Sequence, residues 1–184
     1  TPAEPAASRH TRRAFHLPET APLVLSPRGW GNKYAHERVL KAFARALPDL
    51  PADSRLAFIL MGRNRSEAVV DRRIAEVRAM AKALGIADRV AWLPALPPAM
   101  VPTVLNMADV VVSCAVPDTF PATVLEALAC EKPVIVPRLP SFEGTVIAGA
   151  VVSLTVMVKV WLAGLPAVSL AVTVTVVVPS GKVE

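Results

Sequence analysis

Two carboxylates, Asp118 and Glu126, lie eight positions apart in a stretch that carries no other charge before Glu131. Apolar residues surround Glu126 and predict a short helix, which a strand at 133–136 follows. A carboxylate inside so apolar a helix is unfavourable unless a polar group meets it. Because a carboxylate can accept hydrogen bonds from two hydroxyl groups at once, we expect Glu126 to bind a ligand. The alternatives are a Glu that pairs within its own helix and an Asp that stabilises the helix N-terminus.

Two cations, Arg28 and Lys33, follow the first predicted strand at a spacing of five residues. Phosphate groups are bound by such cations and by backbone N–H groups. The alternative is that both are ordinary solvated loop charges. Position in the loop alone favours that alternative.

Helices and strands alternate through residues 22–155. Short apolar strands are predicted at 23–25, 56–61, 90–93, 109–113 and 133–136, and helices at 34–47, 66–84, 100–107 and around Glu126. Gly85 is expected to end the second helix in a left-handed conformation. This alternation is typical of a doubly wound, Rossmann-like α/β fold with a parallel sheet covered on both faces. Ligands of such sheets bind outside the carboxyl ends of the strands, where the loops of Arg28, Gly62, Leu96 and Asp118 are expected.

The segment 118–133 resembles the donor-site signature of retaining glycosyltransferases of the GT-B fold, family-4 type. In that family two acidic residues at this spacing hold the sugar nucleotide, and an Arg and a Lys at the spacing of Arg28 and Lys33 contact its diphosphate. The resemblance covers about residues 22–150. It implies that the chain is the C-terminal, donor-binding half of a hexosyltransferase-like enzyme. The N-terminal GT-B domain would then be missing, so this half alone should bind the donor without turning it over.

The resemblance also implies roles for individual residues. Arg28, Lys33 and Asp118 would be catalytic, with Asp118 binding hydroxyls of the transferred sugar. The nucleotide-sugar-binding residues would be Gly62, Arg63, Leu96, Thr119, Phe120, Pro121, Ala122, Thr123 and Glu126. The nucleoside-diphosphate sugar is the substrate, and neither a metal nor another cofactor is expected. The base, the sugar and the acceptor stay open.

Three positions depart from the family pattern. Pro27 replaces the Gly before Arg28, Tyr34 replaces the Gly after Lys33, and Glu131 replaces the Gly between the helix and the next strand. A left-handed conformation at Glu131 would cost a non-glycine residue about 1 kcal/mol. The changes at Pro27 and Glu131 favour an alternative: a non-catalytic Rossmann-like module that keeps the fold and has lost the ligand.

Composition narrows the class of partner. The net charge is +5 and aromatic residues make up 5% of the 184 residues, without a basic stripe interleaved with aromatics. Sequence-specific nucleic-acid binding is therefore disfavoured. The positive balance suits an anionic ligand, a weak attraction to anionic lipid, or solubility alone. With two cysteines and no signal-peptide pattern we expect a cytoplasmic protein, with peripheral contact at a membrane surface as an alternative.

The remaining titratable residues predict no metal site. Cys114 and Cys130 lie in apolar segments and are expected to be small core residues. His10, His16 and His36 lack the spacing of metal ligands and are expected at the surface.

Three segments make up the predicted domain organisation. Residues 1–21 are expected to be an irregular lead-in with one helical turn near 9–15, residues 22–155 form the nucleotide-sugar-binding domain, and residues 156–184 form an atypical apolar tail. Val160–Val178 is nineteen residues long without a charge, which meets the length rule for a membrane helix. The other interpretations are an interface segment, a poorly determined stretch of sequence and a frameshifted end. Because the alternating Val and Thr residues from Val172 favour strands, a membrane helix is the least favoured of these interpretations.

Overall fold

A computed structural model of the chain describes residues 6–60, 67–115, 122–137 and 175–177. Within them, helices and strands alternate. The helices are α1 (Ala6–Ala14), α2 (His36–Ala46), α3 (Glu67–Ala83), α4 (Val101–Met107) and α5 (Ala122–Ala129). The strands are β1 (Leu23–Ser26), β2 (Arg55–Ile59), β3 (Val90–Leu93), β4 (Val110–Val112), β5 (Val134–Val136) and β6 (Thr175–Val177).

One sheet contains all six strands in the order β3-β2-β1-β4-β5-β6. The pairs among β1 to β5 are parallel, and Leu25 of β1 stands between Ala57 of β2 and Val111 of β4. The predicted parallel, Rossmann-like α/β fold is confirmed. From β1 the chain adds β2 and then β3 on one side, and it then crosses to add β4 and β5 on the other side of β1. The order in which strands are added therefore reverses between β1 and β4. Sheets of this kind bind ligands at that switch point.

Both faces of the sheet are buried, as the uniformly apolar strands predict. Leu25 and Ile59 belong to one core cluster, together with side chains of α4 and α5. Leu56 and Phe58 belong to a second cluster, together with side chains of α2 and α3. Neighbouring residues of a strand point to opposite faces, so each of the strands β1 to β5 contributes to both cores.

Three helices end in the same left-handed turn. At the end of α3, Gly85 has a φ of 69°, and the N–H of Ile86 donates to the carbonyl of Ala81. His16 after α1 and Glu131 after α5 adopt φ values of 55° and 57°, with the equivalent hydrogen bonds. This is the Schellman arrangement, which satisfies carbonyl groups at a helix end. The left-handed end predicted at Gly85 is confirmed, and Glu131 adopts it without being glycine.

The N-terminal segment is not the irregular lead-in that the sequence predicts. Residues 6–14 form helix α1, and Arg12 on this helix is 2% exposed. Its guanidinium donates to the carbonyls of Met107, Ala21 and Glu19 and forms a 3.0 Å ion pair with Asp109. The helix is therefore joined to the end of α4 and the start of β1. Sequence reasoning missed this because the Met107 carbonyl and Asp109 are distant from Arg12 in the chain.

Thr175–Val177 is the part of the apolar tail that the structure describes. It forms β6, which pairs antiparallel with β5 and lies within the Val- and Thr-rich run that favours strands. The rest of residues 156–184 lies outside the described residues. Among the residues that are described, no helix combines the length and apolar composition needed to cross a membrane.

Candidate functional site

The candidate site lies where β1 and β4 end side by side. Both strands run in the same direction, so the loop after β1 and the segment leading from β4 to α5 leave the sheet at one edge. The first loop carries Arg28 and Lys33, and the second segment leads to Glu126 on α5. The topology thus brings the predicted cations and the start of the predicted acidic helix to one edge of the sheet.

Arg28 and Lys33 meet at one aromatic ring. The guanidinium carbon of Arg28 lies 4.8 Å from the centroid of the Tyr34 ring, and the Lys33 ammonium nitrogen lies 5.0 Å from it. Both distances are within the range of cation–π attraction. Two like charges drawn to one ring create a local concentration of positive charge, which suits an anionic ligand.

The burial of the two cations differs. Lys33 is exposed, whereas Arg28 is 6% exposed. Arg28 is therefore not the solvated loop charge of the alternative interpretation, while Lys33 still fits that description. A guanidinium in this position is held by its surroundings and keeps its planar fork of donors in a defined orientation.

An aromatic stack lies under this loop. The Trp30 and His36 rings are parallel within 4°, with centroids 4.1 Å apart, and the Trp30 indole N–H donates to the Ile59 carbonyl at 3.0 Å. The stack ties the loop between Arg28 and Lys33 to the end of β2. His36 is 0% exposed, so the expectation that all three histidines lie at the surface is wrong for this one. The other two, His10 and His16, are exposed.

His36 is held as a neutral side chain. Burial lowers its pKa from 6.5 to about 4, against the opposing effect of its contact with the Arg28 backbone. Its Nε2 atom lies 3.4 Å from the Arg28 carbonyl oxygen, a contact in which the carbonyl accepts from the Nε2–H tautomer of the ring. The ring therefore contacts the backbone of Arg28 as well as the side chain of Trp30.

Ala35 makes the sharp turn between the loop and helix α2. Its φ is 45° and its ψ is 45°, a left-handed conformation that is unusual for alanine. The turn separates Tyr34, which faces the cations, from His36, which faces the indole. Strain of this kind is often found at functional loops, where surrounding contacts hold it in place.

Glu126 does not occupy the environment that the sequence predicts. Val124 and Ala127 form the buried side of α5, and Glu126 is exposed. The argument that a buried carboxylate requires a polar partner therefore does not apply. The apolar residues of α5 lie on both of its sides, since Leu125 is 37% exposed, and Glu126 lies on the side that remains accessible to a ligand.

Of the other predicted site residues, the structure describes only Leu96, Ala122 and Thr123. Ala122 is exposed and Thr123 half-buried at the start of α5, and the Leu96 side chain packs against the core after β3. Leu96 could thus offer only its backbone to a ligand. The remaining predicted residues lie outside the described residues: Gly62, Arg63, Asp118, Thr119, Phe120 and Pro121.

The cysteines and acidic residues indicate no further chemistry. Burial raises the pKa of Cys114, just after β4, to about 11, so it remains a thiol at neutral pH and is a poor nucleophile. Cys130 is also a free thiol, half-buried after α5. Within the described residues, no three His, Cys, Asp or Glu side chains lie together as a metal site.

Trp30, Tyr34 and His36 were not recognised as part of the site from the sequence. Tyr34 was noted only as a departure from a family pattern. Their one shared signal is the concentration of three aromatic rings within seven residues directly after β1.

Similar folds occur in solved glycosyltransferases. The crystal structure of Anabaena Alr3699/HepE in complex with UDP-glucose is 18% identical and has a TM-score of 0.62, with 75% of this chain and 35% of that chain covered. Sucrose-phosphate synthase from Thermosynechococcus elongatus is 21% identical with a TM-score of 0.62, covering 73% of this chain and 32% of that one. The C-terminal domain of LpcC from Francisella tularensis is 16% identical with a TM-score of 0.55, covering 70% and 62%.

These likenesses show the fold, and this chain spans 35% of the length of HepE. No curated protein sequence matches it. A family model does match: residues 8–155 fit the model of glycosyl transferases group 1. Since that match covers most of the sequence, the chain belongs to the glycosyl transferases group 1 family and has its Rossmann-like GT-B fold.

Proposed function

We propose that this chain is the donor-binding domain of a retaining, metal-independent, family-4-type glycosyltransferase that takes a sugar from a nucleoside-diphosphate sugar. The observation that carries the proposal is the meeting of Arg28 and Lys33 at the switch point of the sheet. A doubly charged diphosphate is a ligand whose charge matches two such cations. The neighbouring fold of HepE, solved with UDP-glucose, supports a donor of this class.

The proposed chemistry is electrostatic stabilisation of the leaving group. As the bond between the sugar and the diphosphate breaks, negative charge grows on the departing phosphate oxygens. Arg28 and Lys33 would stabilise that charge, so no metal is required for this task. The N–H groups at the start of α5, around Thr123, would add further donors to the phosphates.

The carboxylates would bind the sugars of the donor. Glu126, exposed on α5, would accept hydrogen bonds from the two ribose hydroxyls, and Asp118 would bind hydroxyls of the transferred sugar. Gly62, Arg63 and the backbone near Leu96 would lie beside the nucleotide. In this proposal a second GT-B domain, outside these 184 residues, supplies the acceptor site, and the enzyme works in the cytoplasm or at the membrane surface.

The alternative is a Rossmann-like module that has lost its ligand. Its support came from Pro27 and Glu131. Glu131 keeps the hydrogen-bonded helix end that a glycine would provide, so that departure leaves the connection from α5 to β5 intact. The alternative then depends on Pro27 alone.

Titration calorimetry with UDP, GDP and ADP tests the proposal. We expect the parent to bind at least one of them, with an affinity that falls as salt rises. Removing a charge-assisted contact costs about 1.5–3 kcal/mol, so Arg28→Ala and Lys33→Ala should each weaken binding by about tenfold or more. Arg28→Lys should restore little, because a lysine cannot bond two oxygens with a planar fork.

A second arm separates the ribose from the diphosphate. Glu126→Gln keeps the shape of the side chain and removes its charge. Glu131→Gln is the matched control, because it makes the same change at another exposed carboxylate of the segment, away from the proposed ligand contacts. We expect Glu126→Gln to weaken binding of the nucleoside as well as the diphosphate. A parent that binds none of the three nucleotides would contradict the proposal and favour the module without a ligand.

A further inference from the structure

Tyr34 occupies the position at which the family pattern has glycine, and its ring is the shared contact of both candidate cations. The Arg28 guanidinium carbon and the Lys33 ammonium nitrogen lie 4.8 Å and 5.0 Å from its centroid. A glycine could hold neither cation. The substitution therefore introduces a group that acts on the same two charges to which the function has been assigned.

The ring itself has a fixed support. Tyr34 meets the His36 ring edge-on, with centroids 6.4 Å apart and planes at 77°. His36 in turn stacks on Trp30, whose N–H is bonded to the Ile59 carbonyl at the end of β2. Edge-to-face and stacked arrangements are the favourable geometries of aromatic pairs. A continuous row of three rings thus connects the two cations to the sheet.

Charge repulsion makes such a support necessary. Two cations that approach each other repel, and Lys33 is exposed with a long, freely rotating side chain. Without the Tyr34 ring, Lys33 would point into solvent, and a ligand would have to order it on binding. Ordering one such side chain weakens binding, so a protein that holds it in advance binds more tightly.

We propose that Tyr34 is a positioning residue that holds Arg28 and Lys33 together for the diphosphate, an inference that rests on the proposed function. The ring supplies the attraction that a glycine at this position lacks, and the Trp30–His36 stack supplies the rigidity. Tyr34 would touch the cations and would not itself contact the reacting atoms.

Two substitutions of Tyr34 distinguish the effect of its aromatic ring on binding from the effect of its size. Tyr34→Phe keeps the ring face, whereas Tyr34→Leu keeps an apolar side chain and removes the ring. The probes are UDP, GDP and ADP, each beside its nucleoside without phosphate. We expect Tyr34→Leu to weaken the affinity for the nucleoside diphosphate about threefold to tenfold. The affinity of Tyr34→Phe should stay within about twofold of that of the parent. Nucleoside binding should not change in either variant.

A coupling measurement tests whether Tyr34 acts through Lys33. Lys33→Ala should weaken diphosphate binding less in the Tyr34→Leu background than in the parent, because without the ring Lys33 is no longer held in place. Phe43→Leu, a change on α2 in the core cluster that also contains Trp30, serves as the control for stability. It should lower the unfolding temperature without changing the ratio of diphosphate to nucleoside affinity.

Proton NMR supplies a measurement that needs no ligand. A ring beside the Lys33 and Arg28 side chains shifts their methylene resonances, and these shifts should persist in Tyr34→Phe and vanish in Tyr34→Leu. Absent shifts in the parent, or unchanged diphosphate affinity in Tyr34→Leu, would overturn the inference and leave the proposed function standing. Equal loss of nucleoside and diphosphate affinity would also overturn it. A parent that binds no nucleotide would overturn the proposed function, and with it the ligand assigned to this ring.

Discussion

Replacing Glu131 with glycine should stabilise the protein. Glu131 is exposed and ends α5 with a φ of 57°, held by hydrogen bonds from its own N–H to Leu128 and from Lys132 to Ala127. The left-handed conformation brings a Cβ atom too close to the neighbouring carbonyl oxygen, and glycine has no Cβ atom. The change therefore relieves the backbone without disturbing a packed side chain.

Two opposing terms set the size of the effect. Relief of the left-handed conformation favours the folded glycine variant by about 1–2 kcal/mol. The greater freedom of glycine in the unfolded chain offsets about 0.4–1 kcal/mol of this. A net gain of about 0–1.6 kcal/mol in the free energy of unfolding remains, with a central value of about 0.8 kcal/mol. With a urea slope of about 2 kcal/mol per molar, the midpoint should rise by about 0.3–0.5 M.

The end of α3 provides the matched reverse experiment. Gly85 has a φ of 69° in the same hydrogen-bonded turn, and a Cβ atom added there would meet nothing within 4 Å. Gly85→Ala therefore adds only the backbone term, and it should lose about as much stability as Glu131→Gly gains. Urea unfolding of both variants, followed by circular dichroism, measures the two changes with opposite signs.

Glu131→Ala separates the backbone from the charge. It removes the carboxylate and keeps the Cβ atom, so its midpoint should stay near that of the parent. If Glu131→Ala gains as much stability as Glu131→Gly, the charge is responsible and the reasoning from φ is refuted. If neither changes while Gly85→Ala is destabilised, the turn at Glu131 differs from the one described.

Two further predictions concern buried polar groups. Arg12→Lys should lower the free energy of unfolding by about 3 kcal/mol or more, because one ammonium cannot replace the guanidinium contacts to Met107, Ala21 and Asp109. A loss below about 1 kcal/mol in urea unfolding would show that these contacts contribute little. The pKa of His36 is lowered from 6.5 to about 4 in the folded protein, so between these pH values the unfolded chain takes up a proton that the folded protein does not. The contribution of His36 to the free energy of unfolding is therefore complete above pH 6.5 and is lost as the pH falls towards 4, by roughly 3 kcal/mol at most. The matched variant His36→Phe should remove that part of the pH dependence, and identical pH profiles for the two proteins would contradict a neutral, buried His36.

The fold was largely predictable because its signals are local. Each of the five parallel strands is a short apolar run buried on both faces, and each is bounded by loop residues, so the run itself marks the strand. Gly85 marked a helix end because glycine alone adopts a left-handed conformation without strain. The helix before β1 was not predicted because two of the partners that bury Arg12, the Met107 carbonyl and the Asp109 carboxylate, lie 95 and 97 residues away in the chain.

The site was predictable in its charges and not in its arrangement. Spacing after β1 identified Arg28 and Lys33, and residue type identified Glu126. The environment of Glu126 was predicted wrongly, because an apolar composition does not reveal which side of a short helix is packed. The surface position predicted for His36 was wrong for the same kind of reason: a polar residue can be buried when a neighbouring indole covers it.

The sequence by itself determined the alternation of helices and strands, the order of charges along the loops and the family to which they point, since each depends on residue types at fixed spacing. Only the tertiary structure decided that Tyr34 faces both cations, that His36 stacks on Trp30 and that Arg12 joins α1 to α4. These contacts depend on the directions of side chains after the chain has turned, at Ala35 and at the ends of the strands. Spacing along a sequence carries no information about those directions.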